Sequence, residues 1–384
     1  MKAVELFAGI GGFRIAAENA GVQTIWANDN SAMACSVYRD RFGDKEIREG
    51  DVETFVSDIP AHDLLTGGFP CQPFSAAGKK MGIEDPRGTL FETIVNVLQA
   101  RRPKYFVLEN VKRLLTMDYG SHFATILDAL AKLDYAIEWR LLNAMDFGLA
   151  QNRQRVFITG KLRVSGEAVK CRLVCSEELE GGSSITAGQL SDPESWTSIM
   201  KHDSRFPSWG VAADGRFFGL DPAEFQAAAK PVLLKDVLQP WKDVNSEFDF
   251  TDSTVQRFQS STIVNKYIGG VEVLSNQGGG ARMGYTVFGA SGVAPTLTAS
   301  TSRHYERYRI GDRYRRLTNI EYARLQGFPD DHCSAVTVYH QYALFGNAVP
   351  PCMAEWAIRR VLSPGTSIAA VKRRRHQSDL FADV

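Results

Sequence analysis

The stretch Ala3-Val4-Glu5-Leu6-Phe7-Ala8-Gly9-Ile10-Gly11-Gly12 decides the fold class of this chain. Residues 3–7 have the short apolar composition of a buried strand, and an alanine-rich helical run follows the glycines as far as Gly21. Glycines allow a backbone to approach a ligand closely at the start of a helix, so the stretch predicts a cofactor-binding loop. It is not the dinucleotide pattern G-x-G-x-x-G, because Arg14 stands at the last glycine position.

Strands and helices continue to alternate beyond this loop. The pattern predicts an α/β fold with a doubly wound, mostly parallel sheet, right-handed crossovers and helices on both faces. The predicted strands lie at 22–27, before Asp51, and at 62–65, 104–108, 137–142 and 156–159, and the predicted helices at 31–42, 89–100 and 122–133.

The alternation stops near residue 170, and the length of 384 residues allows two domains. We predict a cofactor-binding domain over 1–170 and a smaller, irregular, β-containing domain over 171–325. A return segment over 326–365, with a helix at 351–361, completes the first domain, and the basic tail over 366–384 is predicted to be disordered.

Charge and composition exclude several classes of protein. The 44 Lys and Arg residues balance 44 Asp and Glu residues, so any nucleic-acid surface must be local. No apolar run approaches the ~20 residues of a membrane span, and no signal peptide precedes Phe7, so we expect a cytoplasmic protein without a membrane partner. Cys171 and Cys175 lack zinc-site spacing, and we expect no metal.

Acidic and thiol side chains follow the predicted strands at one sheet edge. Asp29 is placed to hold ribose hydroxyls and Asp51 to accept from an adenine amino group, although both could be solvated loop acids. Cys71 lies between two prolines in Gly67-Gly68-Phe69-Pro70-Cys71-Gln72-Pro73, which favours a presented thiol over a buried one. With Glu109 at the end of a neighbouring strand, the thiol suggests nucleophilic catalysis assisted by an acid.

These residues belong to an ordered series of motifs, and with them the sequence closely resembles the DNA (cytosine-5)-methyltransferases. The series comprises Phe7-Ala8-Gly9-Ile10-Gly11-Gly12, Asp29, Gly50-Asp51-Val52, Phe69-Pro70-Cys71-Gln72, Arg87-Gly88-Thr89-Leu90-Phe91, Glu109-Asn110-Val111, Gln151-Asn152-Arg153-Gln154-Arg155, Arg316-Leu317-Thr318, Arg324-Leu325-Gln326-Gly327-Phe328-Pro329 and Gly346-Asn347-Ala348-Val349-Pro350.

The resemblance implies a catalytic set of four residues. The Cys71 thiolate adds to C6 of cytosine, and Glu109 holds a proton for N3, for which its pKa must rise in a closed site. Arg153 and Arg155, two apart on one strand, orient the base oxygen and the carboxylate, unless they form an ordinary solvated edge.

The resemblance also implies S-adenosylmethionine as the cofactor. Asn347 is expected to return beside Phe7 and complete the pocket, whereas Asn30 stands where the family commonly has a bulky residue against the adenine. The predicted cofactor-binding residues are Phe7, Ala8, Gly9, Gly11, Gly12, Asp29, Asn30, Asp51, Val52, Pro70, Leu90, Asn347 and Val349.

Double-stranded DNA is the implied partner, and the target cytosine must leave the duplex to react. The irregular domain corresponds to the family's target-recognition region, and the arginines between 303 and 316 predict a phosphate-facing stripe. The predicted DNA-binding residues are Ser75, Lys79 and Lys80 in a glycine-containing loop, together with Gln151, Thr296, Arg303 and Arg307.

The sequence thus predicts a monomeric DNA (cytosine-5)-methyltransferase of a restriction-modification or phage-defence system. A tRNA cytosine-5 methyltransferase and a catalytically idle DNA-binding relative remain alternatives, but the idle relative should have lost Cys71 or Glu109. Methyl transfer to an exocyclic amino group would require an Asp/Asn-Pro-Pro-Tyr loop, which the sequence lacks.

Overall fold

A computed structural model describes residues 1–70, 89–163, 184–191, 206–220, 231–278, 283–299 and 306–363. The predictions for Cys71, Ser75, Lys79, Lys80, Arg303 and the tail over 366–384 lie outside these residues. Within the described part of the chain, no helix is long and apolar enough to cross a membrane.

A ten-stranded sheet forms the larger part of the molecule, in the order β3-β2-β1-β4-β5-β7-β6-β9-β10-β8. Strands β1 to β5 are mutually parallel, and β7 is inserted antiparallel between β5 and β6. This arrangement confirms the predicted α/β fold but corrects the mostly parallel sheet, because five of the nine strand pairs in the described part of the sheet are antiparallel. The strands are β1 (Lys2–Leu6), β2 (Gln23–Asp29), β3 (Ile47–Glu49), β4 (Leu64–Gly68), β5 (Tyr105–Val111), β6 (Tyr135–Asn143), β7 (Gln154–Leu162), β8 (Ser184–Gln189), β9 (Trp209–Ala213) and β10 (Arg216–Leu220).

Helices cover both faces of this sheet because alternate side chains of its strands point in opposite directions. On β5, for example, Phe106 and Leu108 belong to one core, and Val107 belongs to the core on the other face. The second of these cores joins α1 to α8. The helices are α1 (Gly12–Asn19), α2 (Ala32–Phe42), α3 (Thr89–Arg101), α4 (Ser121–Ala131), α5 (Asp252–Gln259), α6 (Asn319–Gln326), α7 (Val338–Asn347) and α8 (Pro351–Leu362).

A smaller five-stranded sheet follows in the order β11-β12-β13-β14-β15. Its core is continuous with α6 and α7 and includes Ile10 and Val37 of the first part of the chain. Its strands are β11 (Thr262–Ile268), β12 (Val271–Asn276), β13 (Thr286–Phe288), β14 (Arg307–Ile310) and β15 (Arg313–Arg315).

The large sheet continues across the predicted domain boundary at residue 170. Strand β9 pairs with β6, so β8, β9 and β10 extend the large sheet although they lie within the range assigned to the second domain. The smaller sheet begins only after residue 261, and α6 packs with α7 rather than ending a separate unit. Strand pairing and apolar burial therefore determine which segments belong to which sheet. The change in the strand–helix alternation near residue 170 does not mark this division.

Candidate active site

A cavity of about 530 Å³ lies at the carboxyl ends of β1, β2, β4 and β5. This is where the strand order reverses, the usual ligand position in an open α/β sheet. Twelve of the thirteen predicted cofactor residues line it, namely Phe7, Ala8, Gly9, Gly12, Asp29, Asn30, Asp51, Val52, Pro70, Leu90, Asn347 and Val349. The remaining one, Gly11, is the left-handed N-cap of α1, with φ of 83°. The structure thus brings the sequence motifs to one cavity.

The glycine loop follows β1 and packs directly against the returning segment after α7. A Cβ atom on Gly12 would overlap the backbone carbonyl oxygen of Val349, so the two backbones are in contact only because Gly12 has no side chain. Phe7 has a φ of 54°, a left-handed conformation that is unusual for a bulky residue and typical of functional loops. As predicted, the segment carrying Asn347 completes the pocket beside Phe7.

Asp29 organises the loop at the end of β2. Its two carboxylate oxygens accept hydrogen bonds from the backbone N–H groups of Gly9 and Ser31, both at 2.8 Å. Burial raises the pKa of Asp29, and these backbone hydrogen bonds oppose the rise. Asp51 is exposed at the cavity rim and accepts from the N–H of Glu53 at 3.0 Å. The remaining lone pairs of both acids are available to hydroxyl or amino donors of a ligand.

S-adenosylmethionine fits the residues that form this cavity. The volume lies within the range of ~300–1,000 Å³ that is usual for ligand pockets. The position that a Cβ of Gly9 would occupy is open, with no heavy atom within 4 Å, so a ligand can approach the loop backbone. The carboxylate of Asp29 suits ribose hydroxyls, and Asp51 suits an amino donor on the adenine. Among the described residues, no group of His, Cys, Asp and Glu side chains could hold a metal ion.

A buried acid and a guanidinium face each other at the inner end of the cavity. Arg155 Nε lies 2.9 Å from Glu109 Oε1. Val111 pairs with Arg155 across β5 and β7, so Glu109, two residues earlier, lies diagonally opposite Arg155 on the same face. Burial raises the pKa of Glu109 despite the two neighbouring arginines, and burial lowers the pKa of Arg155. The site can therefore hold a proton on a carboxyl group that contacts a cation.

Arg153 lies just outside β7, which corrects the prediction that it shares one strand with Arg155. It precedes β7, is fully buried, and donates to the carbonyl oxygens of Leu297, Gly346 and Ala348 at 2.9–3.1 Å. Burial, followed by repulsion from Arg155, lowers the pKa of Arg153 to about 9. Arg153 influences Glu109 through its charge, while its hydrogen bonds join the smaller sheet's loop to the return segment.

The predicted DNA-binding residues have different environments. Gln151 is fully buried, and its amide accepts from the N–H of Leu297 and donates to the carbonyl of Leu325, so it exposes no atom for the predicted DNA contact in this structure. Thr296 is half-buried and donates to the carbonyl of Asn152 at 2.6 Å. Arg307 is half-buried on β14, where it donates to Gln277.

Most of the predicted phosphate-facing arginines have internal partners. Arg313 forms a two-pronged pair with Asp249, and the buried Arg315 forms one with Glu321. Arg316 lies over the ring of Phe248. The described part of the stripe therefore mainly stabilises the smaller sheet, and of its described members Arg309 is the exposed one. Arginine spacing alone could not distinguish these roles, because it does not show which acidic side chain each arginine contacts, whether 64 residues away, as for Arg313 and Asp249, or six, as for Arg315 and Glu321.

Two features were missed in the sequence. Asn110 is buried, and its amide donates to the carbonyl of Phe69 at 3.0 Å, which fixes the backbone just before Pro70. Its position directly after Glu109 was the available signal. A second cavity of about 400 Å³ shares Val111 and Arg155 with the first and is also lined by Lys112, Arg113, Asn152, Gln154, Val271, Pro295 and Thr296.

The chain resembles known proteins over nearly its whole length. A family model described as C-5 cytosine-specific DNA methylase matches residues 1–363. The type II methyltransferase M.NlaX of Neisseria lactamica is 30% identical to this chain, and the match covers 91% of this chain and 92% of that protein. The type II methyltransferase M.HhaI of Haemophilus parahaemolyticus is 28% identical, and the match covers 91% of this chain and 90% of that protein. M.NgoBI of Neisseria gonorrhoeae is 47% identical, but the match covers 41% of this chain and 50% of that protein.

A structural comparison agrees with the fold. The crystal structure of S. pombe Dnmt2 methyltransferase covers 95% of this chain and 99% of its own, with a TM-score of 0.60 and 18% identity. At that identity the match supports the fold alone, and the family is established by the match over residues 1–363 and by M.NlaX. The chain therefore belongs to the family of C-5 cytosine-specific DNA methylases.

Proposed function

We propose that this protein transfers the methyl group of S-adenosylmethionine to C5 of a cytosine in a specific site of double-stranded DNA. The observation that carries the proposal is the Glu109–Arg155 pair, which opens into the same cavity as the glycine loop and Asp29. When bound, S-adenosylmethionine supplies an electrophilic methyl group. The glycine loop, Asp29 and Asp51 hold it, with Asn347 and Val349 closing the opposite wall.

Cytosine C5 is a weak nucleophile, so the base must first be activated. We assign this step to the thiolate of Cys71, which adds to C6 and leaves an electron-rich C5. After methyl transfer, loss of the C5 proton and elimination of the thiolate restore the ring. Cys71 directly follows Pro70, which lines the cavity, and Asn110 fixes the backbone of Phe69. This anchoring of the preceding backbone supports the choice of Cys71 as the nucleophile.

Glu109 and Arg155 stabilise the activated ring in this proposal. A protonated Glu109 donates to N3 as negative charge develops on the ring, and the raised pKa of its buried carboxyl favours that form. Arg155, already hydrogen-bonded to the carboxyl, contacts the base oxygen. Because Glu109 is buried beneath the cavity walls, a stacked base could not reach it, and the target cytosine must leave the helix.

The relatives favour DNA over tRNA as the substrate. They also favour a role in DNA modification. The matching family is named for DNA, and M.NlaX and M.HhaI are named as type II methyltransferases. We therefore propose that the protein protects a DNA site in a restriction-modification or phage-defence system. The predicted Thr296 lines the second cavity beside Arg155, a position suited to the backbone of the displaced nucleotide.

Two measurements test this function. Bisulfite sequencing of host DNA carrying the gene should reveal cytosine methylation at one recurring sequence, and absence of any new methylation would contradict the proposal. A duplex with 5-fluorocytosine at that site should form an adduct that survives denaturation, since the fluorine prevents the final proton loss. The Cys71→Ser variant should form none, whereas the control Cys333→Ser, which alters a buried thiol outside the cavity lining, should still form it.

A further inference from the structure

A histidine of the return segment contacts the glycine loop from outside the cofactor cavity. His332, which lies between α6 and α7, is 1% exposed, and its Nε2 lies 2.8 Å from the carbonyl oxygen of Ile10. Ile10 lines the cavity, whereas His332 lines neither cavity. A carbonyl oxygen only accepts hydrogen bonds, so Nε2 carries the hydrogen and is the donor. The return segment thus holds the loop without occupying the space of the ligand.

The loop requires such an anchor because glycines flank Ile10 on both sides. Gly9 and Gly11 have φ of 55° and 83°, conformations that glycine adopts readily in a backbone that is free to reorient. The N–H of Gly11 donates to the carbonyl of Ala8 at 2.9 Å, and this N–H belongs to the same peptide group as the Ile10 carbonyl. Both ends of that peptide group are therefore hydrogen-bonded, which fixes its plane.

The ring of His332 is itself held by aromatic and ionic contacts. It packs on Phe328, with ring centroids 4.6 Å apart, and on Phe42 of α2, with centroids 6.2 Å apart. The neighbouring Asp331 forms a two-pronged pair with Arg41 of α2, at 2.9 and 3.1 Å. The donor therefore cannot turn away from the loop without disturbing this packing.

The surroundings of the ring indicate why a histidine occupies this position. Among the described residues, Nδ1 of His332 is buried without a hydrogen-bond partner. A phenylalanine would fill the same apolar space without that unpaired nitrogen, so the hydrogen bond to Ile10 is what a histidine adds. Burial, opposed by this hydrogen bond, lowers the pKa of His332 to about 4, so the ring is neutral near pH 7.

We propose that His332 is a positioning residue for S-adenosylmethionine, because it holds the glycine loop in the binding conformation before the ligand arrives. The inference rests on the proposed function in taking S-adenosylmethionine as the ligand, but it concerns cofactor affinity and not the chemical step. Without the hydrogen bond the loop samples other conformations, and binding must restrict them again. The rate at saturating cofactor should not change, since His332 lies outside both cavity linings.

The test compares His332→Phe, which keeps an aromatic ring but removes the donor, with the matched control His62→Phe. His62 is also buried, and its Nδ1 lies 2.8 Å from the carbonyl oxygen of Pro60, but it is absent from both cavity linings. In calorimetry, His332→Phe should raise the Kd for S-adenosylmethionine about tenfold, and His62→Phe should keep it within about twofold of the wild type. Both variants should lower the free energy of unfolding in urea titrations.

His332→Gln is the rescue variant. It loses the ring but keeps an N–H donor at the distance of Nε2, so its Kd for S-adenosylmethionine should stay within about threefold of the wild type. A kinetic comparison uses a duplex carrying the site mapped by bisulfite sequencing. His332→Phe should raise the KM for S-adenosylmethionine about tenfold and keep the single-turnover rate at saturating cofactor within about twofold.

Equal cofactor affinity of His332→Phe and the wild type would overturn the positioning role. A folded His332→Gln whose Kd rises about tenfold would also overturn it, even if His332→Phe did not fold, since the ring and not the donor would then matter. A wild type that binds S-adenosylmethionine but methylates no duplex would overturn the proposed function, while calorimetry would still decide the role of His332. A wild type that binds no S-adenosylmethionine would overturn both.

Discussion

Replacing Glu109 by Gln tests the role of the proton that this carboxyl group is proposed to hold at the inner end of the cavity. The amide has the shape of the carboxyl group and can still accept from Arg155, whose Nε lies 2.9 Å from the carboxyl oxygen. It cannot transfer a proton to the ring nitrogen. Positioned proton transfer contributes about 10²–10⁴-fold to a rate, so Glu109→Gln should lower the single-turnover rate by that factor, equivalent to ~3–5 kcal/mol in the barrier.

The direction of the pH dependence follows from the raised pKa of Glu109. Burial, the largest cause, favours the neutral carboxyl, so the group keeps its proton to higher pH than a free glutamate. The wild-type rate should therefore decline as pH rises through the folded-state pKa, and this limb should be absent from the Glu109→Gln profile. Any contribution of the neutral carboxyl to the free energy of unfolding is fully present below the pKa of Glu109 in the unfolded chain. It is lost as pH rises through the pKa of Glu109 in the folded protein.

The assay is rapid-quench transfer of a labelled methyl group under single-turnover conditions, with cofactor affinity measured separately. Glu138→Gln is a matched control, since Glu138 is another buried glutamate of the same sheet, paired with Arg360 at 3.1 Å and absent from both cavity linings. It should lower stability but leave the chemical rate unchanged. A rate for Glu109→Gln within about threefold of the wild type would refute the assigned proton transfer.

Three further substitutions test the geometry of the pocket. Gly12→Ala should weaken S-adenosylmethionine binding about tenfold in calorimetry, because the added methyl overlaps the Val349 carbonyl and forces the two segments apart; unchanged binding would contradict this close contact. Arg153→Met should lower the free energy of unfolding by about 3 kcal/mol in urea titrations, since three buried carbonyl groups lose their donor, and a loss below ~1 kcal/mol would show that the arginine is dispensable for stability. Asp29→Asn should raise the cofactor Kd about tenfold, because one amide oxygen cannot serve both loop N–H groups; equal affinities would rule out the carboxylate as the organiser of the loop.

Local sequence patterns predicted the first part of the fold well. The strand, glycine loop and helix after Ala3 have strong local signals, and so does the helix that begins at Thr89, which the structure places at Thr89–Arg101. Glu109 and Asp29 were found because a residue that ends a parallel strand must lie at the ligand-binding edge of the sheet. Strand position, rather than residue type, made these predictions possible.

Long-range partners explain what the sequence could not predict. Strands β8 to β10 join the large sheet by pairing with β6, and no local pattern specifies which distant strand a short segment will meet. The buried roles of Gln151 and Arg153 depend on carbonyl groups more than 140 residues away in the chain. Arg315 is a local case, because its partner Glu321 is only six residues away, yet the arginine spacing did not reveal this pairing.

The contact between Gly12 and Val349 also affects how the protein acquires activity during synthesis. The glycine loop leaves the ribosome before the opposite wall of the cavity, which emerges only after more than three hundred further residues have been translated. A nascent chain therefore has an open, incomplete cofactor site, and products of premature termination before this wall should be unable to modify the genome. Folding order thus restricts activity to chains in which the intervening five-stranded sheet has already been made.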